Sequence, residues 1–194
     1  MKTYTTSKQI SNKSDTFVKP PRLSVVIPSY CSSHLEKVIN AAKYFEPFEI
    51  IVVDSSPIKP NLKDVLLYHQ PDRLNAAAAR NKGASLARGE LLLFIDSDVI
   101  LTKNNISTIK NHTEIDQNII CGLYIKNLNE GKITRFQRGV IERRLNNPKK
   151  NSLKIWSSSH FLISKESFLF SGGFNETFDN YEDVEFFLRC EAAG

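Results

Sequence analysis

A mostly parallel α/β fold, with helices on both faces of the sheet, is predicted by two features of this chain. Short runs such as "LSVVIPSY" (Leu23 to Tyr30), "FEIIVVDSS" (Phe48 to Ser56) and "ELLLFIDSD" (Glu90 to Asp98) are apolar throughout rather than alternating, as strands buried on both faces must be. Segments with helical spacing or strong helix formers separate these runs, and strand–helix alternation is the pattern of a parallel sheet with crossover helices. Two of the strands also run directly into carboxylates, Asp54 in one and Asp96 with Asp98 in the other.

In chain order, the first strand is expected to end at Pro28. "SHLEKVINAAKYF" follows, with Leu35, Val38, Ile39, Ala42 and Phe45 on one helical face, and Ser33 with Glu36 as its capping box. "NLKDVLLYH" (Asn61 to His69) suggests a short helix. The alanine-rich "NAAAARNKGASLARG" (Asn75 to Gly89) predicts a longer one stopped by Gly89. After Asp98, "IICGLYI" and "KITRF" read as antiparallel strands, and the basic, Pro-containing Arg143 to Lys154 as an exposed loop. "SHFLIS" returns to the sheet, and "YEDVEFFLRCEAAG" is helical, with Val184, Phe187 and Leu188 on one side.

The 194 residues suffice for one domain with its own core. Residues 1–21 form a polar tail without the apolar stretch of a signal peptide, and residues 22–194 form the domain. The chain stops just after the last helix without a polar tail or turn, which predicts a C-terminal truncation. No apolar run is long enough to span a bilayer. The net charge of +5 suits an anionic ligand or membrane surface but lacks the dense basic stripe of a nucleic-acid binder. Three well-separated cysteines, Cys31, Cys121 and Cys190, read as free thiols in a reducing compartment.

The acids carry the chemistry. In open α/β sheets ligands bind beyond the carboxyl ends of the strands, where Asp54, Asp96 and Asp98 are expected. Successive side chains alternate along a strand, so Asp96 and Asp98 are expected to point the same way and Ser97 the other. Two such carboxylates repel unless a cation meets them, and a hard divalent ion that completes its shell with phosphates and water is suited to them. The plain alternative is that Asp-Ser-Asp merely opens a turn.

The context of that motif resembles the family 2 glycosyltransferases, whose fold is named GT-A. "LSVVIPSY" and "EIIVVDSS" are similar to their first two strands, and "NAAAARNKGASLARGELLLFIDSD" to the segment leading into their DxD motif. "SGGFNETFDNYEDVEFFLR" is similar to their acceptor-side block. The four blocks occur in the family's order from Leu23 to Arg189.

The resemblance implies a metal-dependent transfer of a sugar, with inversion, from a nucleoside-diphosphate sugar to an acceptor hydroxyl. Asp54 would lie against the nucleotide, beside Pro28 and Ser55; the family often has a second Asp where Ser55 stands, which weakens any assignment of the base. Arg80 would meet the diphosphate or base with forked hydrogen bonds, unless it is an exposed helix arginine paired with an acid. Asn75 and Asn81 would shape the same wall. Asp96 would meet the ribose and share with Asp98 a Mn²⁺ or Mg²⁺ ion. Glu182 and Asp183 form the acceptor-side pair, with Asp183 as general base; acids in a helix's first turn are also favoured by its dipole alone, by about 0.3–1 kcal/mol. Trp156 would stack on a sugar, or belongs to the core; His160 would touch acceptor or phosphate, or is structural. The basic loop would close over the diphosphate, or is solvated surface.

Two rival enzyme classes fit poorly. Nucleotidyltransferases need a Gly-rich loop after the first strand, where this chain has "PSYCSSH". DxD phosphatases place their motif after the first strand and continue as Asp-Gly-Thr, whereas "DSDVI" follows the third. The remaining alternative is a non-catalytic nucleotide-sugar binder or an inactive partner subunit. The acceptor is expected to be a glycan, a lipid-linked carrier or a protein, in bacterial polysaccharide or glycoconjugate synthesis. The chain is expected to be cytoplasmic and to rest on the inner membrane face through its positive charge. Sugar, base, acceptor and oligomeric state are not legible in these residues.

Overall fold

The computed structural model describes residues 22–101, 121–122 and 159–193. The strands are β1 (Leu23–Ser29), β2 (Glu49–Asp54), β3 (Leu66–His69), β4 (Leu91–Ile95), β5 (Cys121–Gly122) and β6 (His160–Ser164). The helices are α1 (Leu35–Ala42), α2 (Ala76–Leu86), α3 (Lys165–Phe170) and α4 (Glu182–Ala193), with a 3₁₀ turn at Lys43–Phe45. One sheet of order β3-β2-β1-β4-β6-β5 holds all six strands. β3, β2, β1 and β4 are mutually parallel; β6 pairs antiparallel with β4, and β5 pairs antiparallel with β6. The polar tail at 1–21, "KITRF", the basic loop and Trp156 lie outside the described residues.

The continuous apolar runs do bury both faces. Val25, Ile27, Ile50, Val52, Leu93 and Ile95 face α1, packing on Leu35, Val38, Ile39, Ala42 and Phe45. Their neighbours Val26, Ile51, Val53, Leu92 and Phe94 face α2, α3 and α4 on the other side. α2 approaches closely because its inner residues are Ala77, Ala79, Gly83 and Ala84. A Cβ at Gly83 would lie 2.2 Å from Val26 Cγ1. Gly83→Ala is therefore expected to destabilise the fold by about 1–3 kcal/mol through overpacking. The double variant Gly83→Ala/Val26→Ala should melt above the sum of the two single losses; strict additivity in thermal denaturation would show that the contact is not the cause.

Several local expectations are corrected. "NLKDVLLYH" contains a strand, not a helix: residues 66–69 pair with β2 from Ile51–Leu66 to Asp54–His69, and this long-range ladder outweighs a short segment's helical spacing. β1 continues through Pro28 to Ser29, because its ladder to β4 stops at Val26–Phe94 and Pro28 lies past that end. α1 has no capping box; His34 is its N-cap, without a side-chain cap hydrogen bond. Gly89 does not stop α2, which ends at Leu86 with Ala87 extended. Gly89 is instead pressed against β1, where a Cβ would meet the Arg22 carbonyl oxygen and Ser24 Oγ at 2.6 Å. On α4 the buried side is Phe186 and Phe187, while Val184 and Leu188 are exposed. Helix α3, capped by Ser164 accepting from Ser167 N–H, was not anticipated.

Candidate active site

The carboxyl ends of β1, β2 and β4 lie side by side, and the acids there fall into two groups. Asp54 ends β2 and is 1% exposed. Its Oδ1 accepts from Ser56 N–H (3.0 Å) and lies 3.0 Å from His69 Nδ1, while its Oδ2 accepts from Ser56 Oγ (2.9 Å). Ser56 Oγ in turn accepts from Cys31 N–H at 2.7 Å. Ser55 is buried, its N–H donating to the Ser29 carbonyl. This network forms the floor of a cavity of about 350 Å³ lined by Ser29, Cys31, Ser32, Leu35, Asp54, Ser56, Pro57, Ile58 and Pro60. Pro28 is half-buried at the same strand end. The Ser56 contact was legible, since an Asp commonly bonds its own backbone two residues on. The His69 contact was not, because it needs the β2–β3 register.

The second group is built on a turn. β4 ends at Ile95, so strand alternation does not govern Asp96 and Asp98; Val99 N–H donates to the Asp96 carbonyl and closes a turn over them. Asp96 N–H is tied to the Ser159 carbonyl at 2.8 Å, and Ser32 Oγ from the cavity wall donates to the Ser97 carbonyl at 2.8 Å. Asp98 is exposed, whereas Asp96 is largely turned inward.

What Asp96 meets there is Arg80. The Arg80 side chain, 4% exposed, donates from Nη2 to Asp96 Oδ1 at 2.7 Å and from Nη1 to Glu182 Oε1 at 2.8 Å. It is thus neither an exposed helix arginine nor held by one acid alone. Burial works against its charge, but Asp96 and Glu182 more than offset this and raise its pKa above the ordinary value. For Asp96, burial pushes the carboxyl pKa up; Arg80 opposes the rise, and Asp98 and Glu182 add to it. Removing one member of such a buried pair typically costs about 3–5 kcal/mol, because the other charge is left unpaired.

α2 holds the acceptor-side block as well. Asn81 accepts from Phe174 N–H (2.9 Å) and donates to the Phe174 carbonyl (2.8 Å) and Glu176 Oε1 (2.8 Å). Asn75 caps α2 by accepting from Ala78 N–H and donates to the Glu176 carbonyl. The turn itself needs Gly172 and Gly173, whose φ values of 79° and 69° disfavour other residues. Arg189 closes the arrangement from α4 by donating to the Ser171 and Gly173 carbonyls. Asp183, half-buried in the first turn of α4, follows Glu182 directly. His160 is buried in β6, beside Ser159 Oγ.

The structure therefore brings Arg80, Asp96 and Glu182 together, with Asp98 and Asp183 adjoining in sequence and the Asp54 cavity linked through Ser32. Among the described residues no group of three or more His, Cys, Asp or Glu forms a metal cage. The chemistry of the donor set still fits a hard cation: adjacent carboxylates, one of them exposed, suit an ion that takes its remaining ligands from phosphate and water.

The profile of the family described as "Glycosyltransferase like family 2" matches residues 24–193. Glycosyltransferase GlyG of Streptococcus pneumoniae serotype 4 is 31% identical over 121 residues, covering 53% of this chain and 38% of that protein. The Bacillus subtilis glycosyltransferase YfnE is 27% identical over 132 residues, covering 60% of this chain and 33% of its own. Among solved structures, a mannosyltransferase from Pyrobaculum calidifontis in complex with GDP-Man and Mn²⁺ superposes with a TM-score of 0.64 at 16% identity, over 91% of this chain and 53% of that one. Staphylococcus aureus TarS 1–349 gives 0.62 at 14% identity, over 87% and 55%. The chain thus spans about half the length of these structures and about a third of the length of the curated relatives, and its fold is the GT-A fold that the structures share. With the matched profile running from β1 to the last helix, the chain belongs to the family 2-like glycosyltransferases.

Proposed function

We propose that this domain transfers a sugar from a nucleoside-diphosphate sugar to an acceptor hydroxyl, with inversion, in the assembly of a bacterial polysaccharide or glycoconjugate. The observation that carries this reading is the Arg80 bridge: one guanidinium holds an acid of the turn after β4 and an acid of the α4 first turn. Donor-side and acceptor-side carboxylates thereby face a single site.

The cavity floored by Asp54 and Ser29 takes the nucleoside, and its Ser32 wall leads to the Asp96–Asp98 turn. Asp98, with Asp96 behind it, would hold a Mn²⁺ or Mg²⁺ ion, which when bound neutralises charge growing on a departing diphosphate. Asp183 accepts the proton of the attacking hydroxyl, since Glu182 is already committed to Arg80. The hydroxyl then attacks the anomeric carbon from the face opposite the diphosphate, and that geometry inverts the centre. The acceptor is a glycan, lipid-linked carrier or protein. No described helix is long and apolar enough to cross a membrane. Contact with an anionic inner membrane face would draw on the chain's charge of +5.

The test is nucleoside diphosphate release from a panel of UDP-, GDP- and dTDP-sugars, with Mn²⁺ or with chelator. Metal-dependent release with one donor is expected, and Asp98→Ala should abolish the metal-dependent part of nucleotide binding. Binding without any turnover would favour the non-catalytic binder. Asp98→Ala with an unaltered metal requirement would remove Asp98 from the cation site.

A further inference from the structure

Resting on the sugar-transfer reading, we propose that Arg80 is a positioning residue and not a ligand of the nucleotide. Its two arms set where the first turn of α4, and with it Asp183, stands relative to the acid turn after β4.

The geometry is that of a spacer. Nη1 reaches Glu182 and Nη2 reaches Asp96, two acids that lie 102 and 16 residues away in sequence. A planar fork spans two divergent carboxylates at fixed distance and angle; a lysine ammonium is a point charge on a flexible stem and cannot do so. The fork is also closed to a ligand. Its side chain is 4% exposed, and the Phe174 ring lies against it, with the guanidinium carbon 5.3 Å from the ring centroid. Its remaining Nε is buried and meets no acceptor in the structure. No face of the guanidinium is left for a diphosphate.

The partners lie on opposite sides of the proposed reaction. The Asp96 turn is fixed to Ser159, the residue before β6, and to the cavity wall through Ser32–Ser97. The loop before α4 is fixed to α2 through Asn81 and Asn75, at Phe174 and Glu176. Five residues lie between Glu176 and Glu182, so pinning that loop does not by itself place the first turn of α4. Arg80 supplies this placement, and it holds two mutually repelling carboxylates, Asp96 and Glu182, on one buried cation. Reaction geometry is therefore carried by a side chain of α2 that is itself closed to the ligand.

Arg80→Lys keeps the charge and loses the fork. The variant is expected to fold and to bind the preferred nucleoside diphosphate with Mn²⁺ within about threefold of the native affinity. Donor KM should change little, and kcat should fall about 100-fold, as for a displacement of reacting groups by roughly 1 Å. Amide exchange in the first turn of α4 should quicken about tenfold or more, with exchange in β1 and β4 unchanged. Glu182→Gln, which weakens one arm and keeps the side chain's shape, should show the same pattern at smaller size; it decides the question if the lysine variant does not fold. A kcat within threefold of native, or a tenfold loss of nucleotide affinity with kcat retained, would overturn the proposal. If the native chain turns over no donor, the transfer reading fails by itself. The exchange comparison then still decides the placement claim, and unchanged exchange in α4 refutes it.

Discussion

Asp183→Asn is expected to leave nucleotide affinity intact while cutting sugar transfer by about 10²–10⁴-fold, the usual contribution of a positioned general base. The two acids that open α4 are not equivalent. Glu182 is 12% exposed and paired with Arg80, so its carboxylate serves to hold the helix. Asp183 is half-buried, with its Oδ1 accepting from Val184 N–H at 2.8 Å. Asparagine retains that acceptor and the shape of the side chain, and it removes the carboxylate that would take the proton. The α4 first turn should persist, and the melting temperature should move by no more than an ordinary surface change, about 0.5 kcal/mol in stability. The measurement is kcat and KM with the preferred donor, beside calorimetric binding of the nucleoside diphosphate. Near-native turnover in the asparagine variant would transfer the base role to another group and would undercut the acceptor-side assignment altogether.

Much of the fold was legible because each interior strand is buried on both faces. That burial forces continuous apolar runs, and β1, β2, β4 and β6 all show them. β3 was illegible for the converse reason: it is an edge strand whose four residues are exposed or half-buried, and only pairing with β2 makes it a strand. Helix α3 is a single short turn and a half whose identity rests on its Ser164 cap.

The site divides in the same way. Carboxylates at strand ends advertise themselves, and Asp54, Asp96 and Asp98 stand where the strands stop. An arginine in an alanine-rich helix advertises nothing. Its burial depends on two acids brought from other elements, and the family resemblance directs attention to the nucleotide, not to those acids. The His69–Asp54 contact was hidden too, because a helix at 61–69 would have pointed His69 elsewhere.

The packing under the site gives the largest expected stability effect. Phe161 on β6 is fully buried and stacks on Phe94 at 4.6 Å between ring centroids, with Phe187 at 5.2 Å, Phe174 at 5.9 Å and Phe186 at 6.0 Å. Phe161→Ala should cost about 3–5 kcal/mol, which for a domain of this size lowers the melting temperature by roughly 6–20 °C. The cavity would sit where both halves of the site are supported. Phe94 lies on β4 two residues before Asp96, while Phe186 and Phe187 seat α4 on the sheet one turn beyond Glu182 and Asp183. Turnover should therefore fall well below the temperature at which the variant unfolds. Phe45→Ala provides the control, because Phe45 is equally buried but packs on the α1 face of the sheet, away from these rings. It should lose comparable stability yet keep its kcat when assayed at a temperature where both variants are folded. Equal losses of kcat in the two would mean that global stability, and not the aromatic support beneath the acids, limits the chemistry.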